Sequence, residues 1–256
     1  MEIKSVAVVT GASQGIGQAA SLRLARDFSA VALVARNKDK LEKTACEVKS
    51  TGAEAMVFDV DLREPQAAEA IVSGTLERFG RIDALLNIAG AVPQIDLFEM
   101  TDAQWDDGMA LKLHGARRLT MRAWDALKAS QGSVVLISGS AALDPKPGFA
   151  AVATTNAAII ALAKAFAEQG IKDGVQVNSV VPGAVMTGRR RSFFEKWAPA
   201  HNLPWKRPSR SSRKKRESAA LETRRRLPIC WVIVSPAAKW MTGASVRMDG
   251  GEIKGI

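Results

Sequence analysis

Tyrosine is absent from this chain of 256 residues. No phenol is available anywhere in it as an acid, a base or a buried hydrogen-bonding group. Cysteine occurs only as Cys46 and Cys230, and histidine only as His114 and His201. Cysteines so few and so far apart argue against a disulfide framework, and with two isolated histidines they argue against a structural zinc site. No uninterrupted run of 18 apolar residues is present to span a bilayer, and no charged-then-apolar leader opens the chain. These absences give the expectation of a cytoplasmic protein that neither crosses nor sits on a membrane.

What remains is an apolar fraction of 47% and enough length for one α/β domain with a sizeable core. The net charge of +10 suggests nucleic acid at first sight. Its distribution disfavours that reading. Between Arg189 and Arg226 there are 14 Lys/Arg against 3 Asp/Glu, whereas the rest of the chain is close to neutral.

Short apolar runs alternate with helical ones. Val6–Val9 precedes a helix from Gly15, running to Asp27. Val31–Val34 precedes Lys38–Lys49, Ala55–Phe58 precedes Glu64–Phe79, and Ala84–Leu86 precedes a long helical region, Asp102–Lys128. Val134–Ile137 precedes Ala150–Gln169, and Val175–Val177 runs on to Val181-Pro182-Gly183. This alternation predicts βαβ units on a parallel sheet, with a ligand at the carboxyl ends of the strands. The chain reads as one domain over 1–256. The first unit is the most telling: Thr10-Gly11-Ala12-Ser13-Gln14-Gly15-Ile16-Gly17 joins a strand to a helix. Glycines there allow a sharp bend and close approach of backbone to a pyrophosphate, and the helix N-terminus offers free N–H groups and partial positive charge.

These residues resemble the short-chain dehydrogenase/reductase family, with its Rossmann-type doubly wound parallel sheet and helices on both faces. The Thr-Gly-x-x-x-Gly-x-Gly spacing of Thr10–Gly17 is characteristic of that family. Asn87-Ile88-Ala89-Gly90 is similar to its Asn-Asn-Ala-Gly motif. Asn178–Gly183 is similar to the segment beside the nicotinamide, with Thr187 where the family often binds the carboxamide. Ser235-Pro236, Trp240–Gly243 and Asp249–Gly251 match its C-terminal signature. The resemblance covers 5–200 and 235–251. It implies an oxidoreductase by descent that binds a nicotinamide dinucleotide through Gly11, Ser13, Gly15, Ile16, Gly17, Asn87, Ala89, Gly90, Pro182, Gly183 and Thr187. It also implies a small carbonyl or alcohol as substrate and a homo-oligomer, dimer or tetramer.

The second strand ends in Ala35-Arg36-Asn37, with no carboxylate to accept ribose hydroxyls. Arg36 suits a 2′-phosphate, and Ser13 can hydrogen-bond it, which favours NADP(H) over NAD(H). Arg36 as a plain solvated charge is the other reading. Asp59-Val60 matches the family's adenine-binding pair, or marks an ordinary strand-to-loop transition.

The family's chemistry, as the resemblance implies, needs four groups. A Tyr is the acid/base, a Lys four residues later lowers its pKa and holds the ribose, a Ser polarises the carbonyl, and an Asn completes a proton relay. Aligned on Ala157-Ala158, this chain has Val152, Asn156, Gly139 and Lys112 at those positions. Losing one positioned acid typically removes about 10²–10⁴ in rate. Ser138 and Ser140 flank Gly139, so a one-residue slip would restore a hydroxyl. Lys112 or His114 is the candidate substitute acid, against the reading that both are surface or packing groups.

From Pro204 to about Val234 the resemblance stops. The run Trp205–Ser218 and the stretch Thr223–Trp231 read either as a basic arm or as a disordered loop. A third reading is a reading-frame slip, later restored. Shifting the codons of Trp205-Lys206 forces a glutamate, and those of Cys230-Trp231-Val232 force Leu then Gly. The shifted Glu222–Ile233 then contains Pro-Glu-Glu-Ile-Ala, similar to the family's helix before its Ser-Pro. Phe193, Phe194 and Trp197 are either pocket-lining residues or one face of an amphipathic helix.

Three functions remain open: a dinucleotide-binding family member that is weak or inactive; an active NADP-dependent carbonyl reductase or alcohol dehydrogenase with a substitute acid; and a non-enzymatic nucleic-acid or interaction protein using the basic segment.

Overall fold

The structure, a computed structural model, describes residues 3–183 and 240–254. Thr187, the segment 204–234, and Phe193, Phe194 and Trp197 therefore lie outside the described residues. Among the described residues seven strands form one parallel sheet: β1 (Val6–Thr10), β2 (Ala30–Val34), β3 (Glu54–Phe58), β4 (Ala84–Asn87), β5 (Ser133–Ile137), β6 (Gln176–Pro182) and β7 (Ser245–Met248). Their order is β3-β2-β1-β4-β5-β6-β7. The order reverses between β1 and β4, and at such a switch point two neighbouring loops diverge and leave a crevice at the carboxyl ends.

The strands β1, β2, β4 and β5 are apolar and buried along their whole length because both faces of the sheet are covered. Side chains alternate between the faces. Val8, Ala32, Leu85 and Val134 enter one core with Ile71, Leu119 and Ile159. Ala7, Val9, Leu33 and Val135 enter the other with Leu24, Leu41 and Val48. The helices that supply these layers are α1 (Gly15–Leu24), α2 (Lys38–Lys49), α3 (Ala67–Phe79), α4 (Asp102–Met109), α5 (Ala116–Arg122), α6 (Trp124–Ser130) and α7 (Ala150–Asp173). The doubly wound fold expected from the sequence is therefore the fold observed.

Several boundaries differ from expectation. The third helix begins at Ala67 rather than Glu64, after a turn, and α7 continues to Asp173, where Gly174 caps it in a left-handed conformation (φ 74°). The region 102–128 is helical as expected, but in segments. A π-helical turn, Ala110–Gly115, separates α4 from α5, and Ala123 separates α5 from α6. Gly115 allows that π-turn to press against the preceding layer, since a Cβ there would sit 2.9 Å from the Leu62 carbonyl oxygen. Single π-turns within helices often mark functional sites.

The edge strand β7 is a further difference, because its sequence does not predict a strand. Its residues alternate exposed and half-buried, with too short an apolar run to signal a strand alone. Asn178 holds it. That fully buried amide donates to the Met241 carbonyl (2.6 Å) and accepts from the Ala244 N–H (3.0 Å). The stretch Pro147–Asp173 has a mean hydropathy of 1.6 over its most apolar window, long and apolar enough to cross a membrane despite lacking an unbroken apolar run. Here it is a core helix: Ile159, Ala163 and Ala167 are buried in the core with Val134, Leu136 and Val177 of β5 and β6.

Candidate dinucleotide and reaction site

The glycine turn is built by close backbone approach. Gly11 has φ +68°, and a Cβ on it would lie 3.2 Å from the Ala89 Cα and N. A Cβ on Gly17 would lie 2.2 Å from the Gly11 carbonyl oxygen, so no other residue fits without moving the turn. Thr10 ties the turn to the end of β4: its hydroxyl accepts from the Ile88 and Ala89 N–H groups (2.9 and 3.0 Å) and donates to the Leu86 carbonyl (3.3 Å). Thr44 of α2 donates to the Ala12 carbonyl (3.1 Å). At the start of α1, Gln14 makes no capping hydrogen bond and the first turn carries no acidic residue. A helix N-terminus built this way directs backbone donors and positive potential toward an anion. The turn therefore fits a dinucleotide's phosphates in both shape and charge.

Beyond the turn, Arg36 follows β2 with 62% of its side chain exposed. It is not an isolated charge. It pairs with Asp61 at 3.4 Å, and Asp61 also pairs with Arg63 at 3.3 Å. Arg63 grips Asp107 of α4 with two donors, at 2.5 and 2.8 Å. Burial pushes the Asp61 carboxyl up, but bonds from the Arg63 backbone and guanidinium, with the Arg36 charge, bring it below its ordinary value. Asp107 is likewise held low by the Arg63 bonds. Sequence patterns do not signal this chain of charges, nor Lys40, whose ammonium donates to the Gln14 side chain on the turn (3.1 Å). Asn37 is structural: its side chain caps α2 by accepting from the Lys40 N–H (2.9 Å). Ser13 is half-buried on the turn, Asp59 is exposed, and Val60 packs its side chain on the core.

At the other end of the crevice, Asn87 is buried at the end of β4. Its amide donates to Thr120 (3.0 Å), and its Oδ1 is the one buried side-chain polar atom without a partner among the described residues. Pro182 is buried at the end of β6, and the Gly183 N–H donates to the Met248 carbonyl (3.1 Å).

The four positions that the resemblance aligns with reaction groups converge only in part. Lys112 lies in the π-turn, and its ammonium donates to the Asn156 Oδ1 (2.5 Å) and to the Ser138 carbonyl (3.1 Å). Asn156 is 3% exposed, on the face of α7 one turn after half-buried Val152. Gly139 lies against the same amide: a Cβ there would be 2.8 Å from the Asn156 Nδ2. Lys112, Gly139 and Asn156 thus meet at the ends of β4 and β5. The serines flanking Gly139 are placed differently. Ser138 is buried and its hydroxyl donates to the Asn156 backbone carbonyl (2.8 Å), while Ser140 opens a 3₁₀ turn. His114 is exposed, so the π-turn brings Lys112 to the site and leaves His114 outside it.

The model of the short chain dehydrogenase family matches residues 5–197. The chain belongs to that family. The short-chain reductase protein NovJ of Streptomyces niveus is 30% identical over 249 residues, covering 97% of this chain and 94% of NovJ. The 3-oxoacyl-acyl-carrier-protein reductase FabG of Staphylococcus aureus is 27% identical over 255 residues, covering 98% and 99%. Among solved structures, L-sorbose reductase from Gluconobacter frateurii with NADPH and L-sorbose superposes with a TM-score of 0.90 at 26% identity, covering 100% and 98%. An actinorhodin polyketide ketoreductase with NADPH gives 0.85 at 25%, covering 96% of each chain. The family model ends at residue 197, whereas both relatives align over nearly the whole chain.

Proposed function

We propose that this short-chain dehydrogenase binds NADP(H) and reduces small carbonyls, or oxidises small alcohols, only weakly or not at all. The observation that carries the reading is the asymmetry of the crevice. The glycine turn and α1 N-terminus are complete, whereas Val152 and Gly139 leave no ionisable acid or hydroxyl at two of the reaction positions. When bound, a reduced dinucleotide supplies a hydride; the chain's own residues bind and orient it.

Gly11, Ser13, Gly15, Ile16 and Gly17 hold the phosphates through backbone N–H groups and the Ser13 hydroxyl. Arg36 faces the 2′-phosphate, exchanging its long contact with Asp61 for a closer dianion, while Asn37, Asp59 and Val60 flank the adenosine. Asn87, Ala89, Gly90, Pro182 and Gly183 border the nicotinamide end. The NADPH in the sorbose reductase and ketoreductase structures supports this choice of cofactor.

Fluorescence titration tests the reading. Saturable NADPH binding is expected, with Arg36→Glu weakening NADPH about tenfold while leaving NADH within about twofold, the scale of a charge-assisted hydrogen bond. Turnover on a panel of small ketones is expected to stay below about 0.1 s⁻¹, roughly 10²-fold under a median enzyme. Absence of saturable NADPH binding, or turnover near 10 s⁻¹, overturns it.

A further inference from the structure

The Lys and Asn positions of this site hold each other's residue. The family resemblance puts an Asn on the helix after β4 and a Lys on the helix after β5; here Lys112 stands on the first and Asn156 on the second. The two side chains face one another and are hydrogen-bonded at 2.5 Å. Two unrelated losses would not be expected to leave an ammonium and an amide in contact. A reciprocal exchange does so, because the pair keeps one positive charge and one amide at facing positions.

The surroundings fit the exchanged pair. The Lys112 stem runs along Gly90, where a Cβ would lie 3.0 Å from the Lys112 Cδ. The Asn156 amide sits against Gly139, where a Cβ would be 2.8 Å from its nitrogen. The missing side chain at each glycine is the space that the neighbouring long or amide side chain uses. Lys112 is further fixed by the Ser138 carbonyl, and Ser138 in turn by its bond to the Asn156 backbone. The ammonium is therefore held at the carboxyl ends of β4 and β5 from three directions: the π-turn, the end of β5 and α7. That position borders the nicotinamide end of the crevice, on the far side of the switch point from Arg36.

We infer that Lys112, positioned by Asn156, is the cation that holds the nicotinamide-side ribose in this chain, delivered from the helix opposite to the usual one. The inference rests on the dinucleotide-binding reading above. It accounts for a crevice that keeps its charge for binding while the acid and hydroxyl positions have gone.

Binding of two probes to a set of variants tests it. NADPH spans the whole crevice; adenosine 2′,5′-bisphosphate reaches only the turn and the Arg36 end, and serves as the fold control in each variant. Lys112→Met keeps the stem beside Gly90 and removes the ammonium. It is expected to weaken NADPH about tenfold and leave the bisphosphate within about twofold, as for loss of a hydrogen bond to a charged group. Asn156→Lys places two ammonium groups together and is expected to weaken NADPH as well. The double exchange, Lys112→Asn with Asn156→Lys, is expected to return NADPH affinity to within about threefold of the parent, a coupling that independent sites would not show. Unchanged NADPH affinity in Lys112→Met, equal loss of both probes, or a double exchange no better than its singles overturns the inference. If the parent binds neither probe, the dinucleotide-binding reading itself falls, a result distinct from any failure of Lys112.

Discussion

The two ends of the crevice differ in how they tolerate substitution. The glycine turn is held by close backbone approach, Gly17 against Gly11, and by two side-chain hydroxyls, Thr10 on two N–H groups and Thr44 on the Ala12 carbonyl. Its shape depends on the glycines and on those two threonines, all of them part of the packed fold. The reaction end, as the family resemblance aligns it, draws on three separate elements: Lys112 of the π-turn, Gly139 after β5, and Val152 and Asn156 of α7. A site shaped by close backbone approach is coupled to the fold more tightly than one assembled from side chains of three elements.

The sharpest break of that contrast is Gly17→Val. A Cβ placed 2.2 Å from a carbonyl oxygen must displace the turn, at the upper end of overpacking costs, about 3 kcal/mol. Thermal denaturation is expected to show that loss, with NADPH binding lost as well; a variant with parental stability would separate the cradle from the fold.

The next effect runs the other way. Val152→Tyr, Gly139→Ser, Asn156→Lys and Lys112→Asn together are expected to raise NADPH-dependent ketone reduction by about 10²-fold, the lower bound for a positioned acid. The first three alone leave two ammonium groups facing each other and are expected to gain less. A quadruple variant that binds NADPH without gaining activity places the deficit elsewhere in the chain.

The smallest effect concerns the far end of α7, which serves as a control. Asp173 accepts from Trp124, Lys128 and Gln169, each at 2.8 Å. The Lys128 bond leads those that hold its carboxyl well below the usual carboxylate range. A depressed folded-state pKa contributes stability that is present above the unfolded value, near 3.8, and is lost as pH falls toward the folded one. Asp173→Asn is expected to lower the melting temperature slightly at pH 7, with the difference from the parent shrinking below about pH 3.8. NADPH affinity should not change. A pH-independent difference would remove the carboxylate from the account.

Strand and helix succession was legible because both sheet faces are covered, which makes the strands continuous apolar runs such as Val6–Val9 and Val134–Ile137. The edge strand β7 was not, since its identity comes from the Asn178 clamp rather than from its own pattern. The π-turn was also hidden: nothing in Ala110–Gly115 distinguishes it from α-helix except a glycine whose reason, the Leu62 carbonyl, lies about fifty residues away. At the site, the family resemblance singled out Lys112, Gly139, Val152 and Asn156 one at a time. Only three-dimensional contact shows that Lys112 and Asn156 are a bonded pair, that Ser138 is committed to helix backbone, and that Arg36 begins a charge chain ending at Asp107.

The clamp between β6 and β7 has an engineering consequence. Asn178, the Gly183–Met248 bond and the Ser179–Ser245 hydroxyl pair (2.8 Å) fasten the chain on both sides of residues 184–239, so that stretch leaves and re-enters the sheet at adjacent strands. Closing a longer loop between fixed ends costs only about 0.6 kcal/mol per doubling of length. A segment grafted from a relative in place of 184–239 would therefore join two anchors that already exist, Gly183 beside Met248 and Asn178 beside Met241 and Ala244.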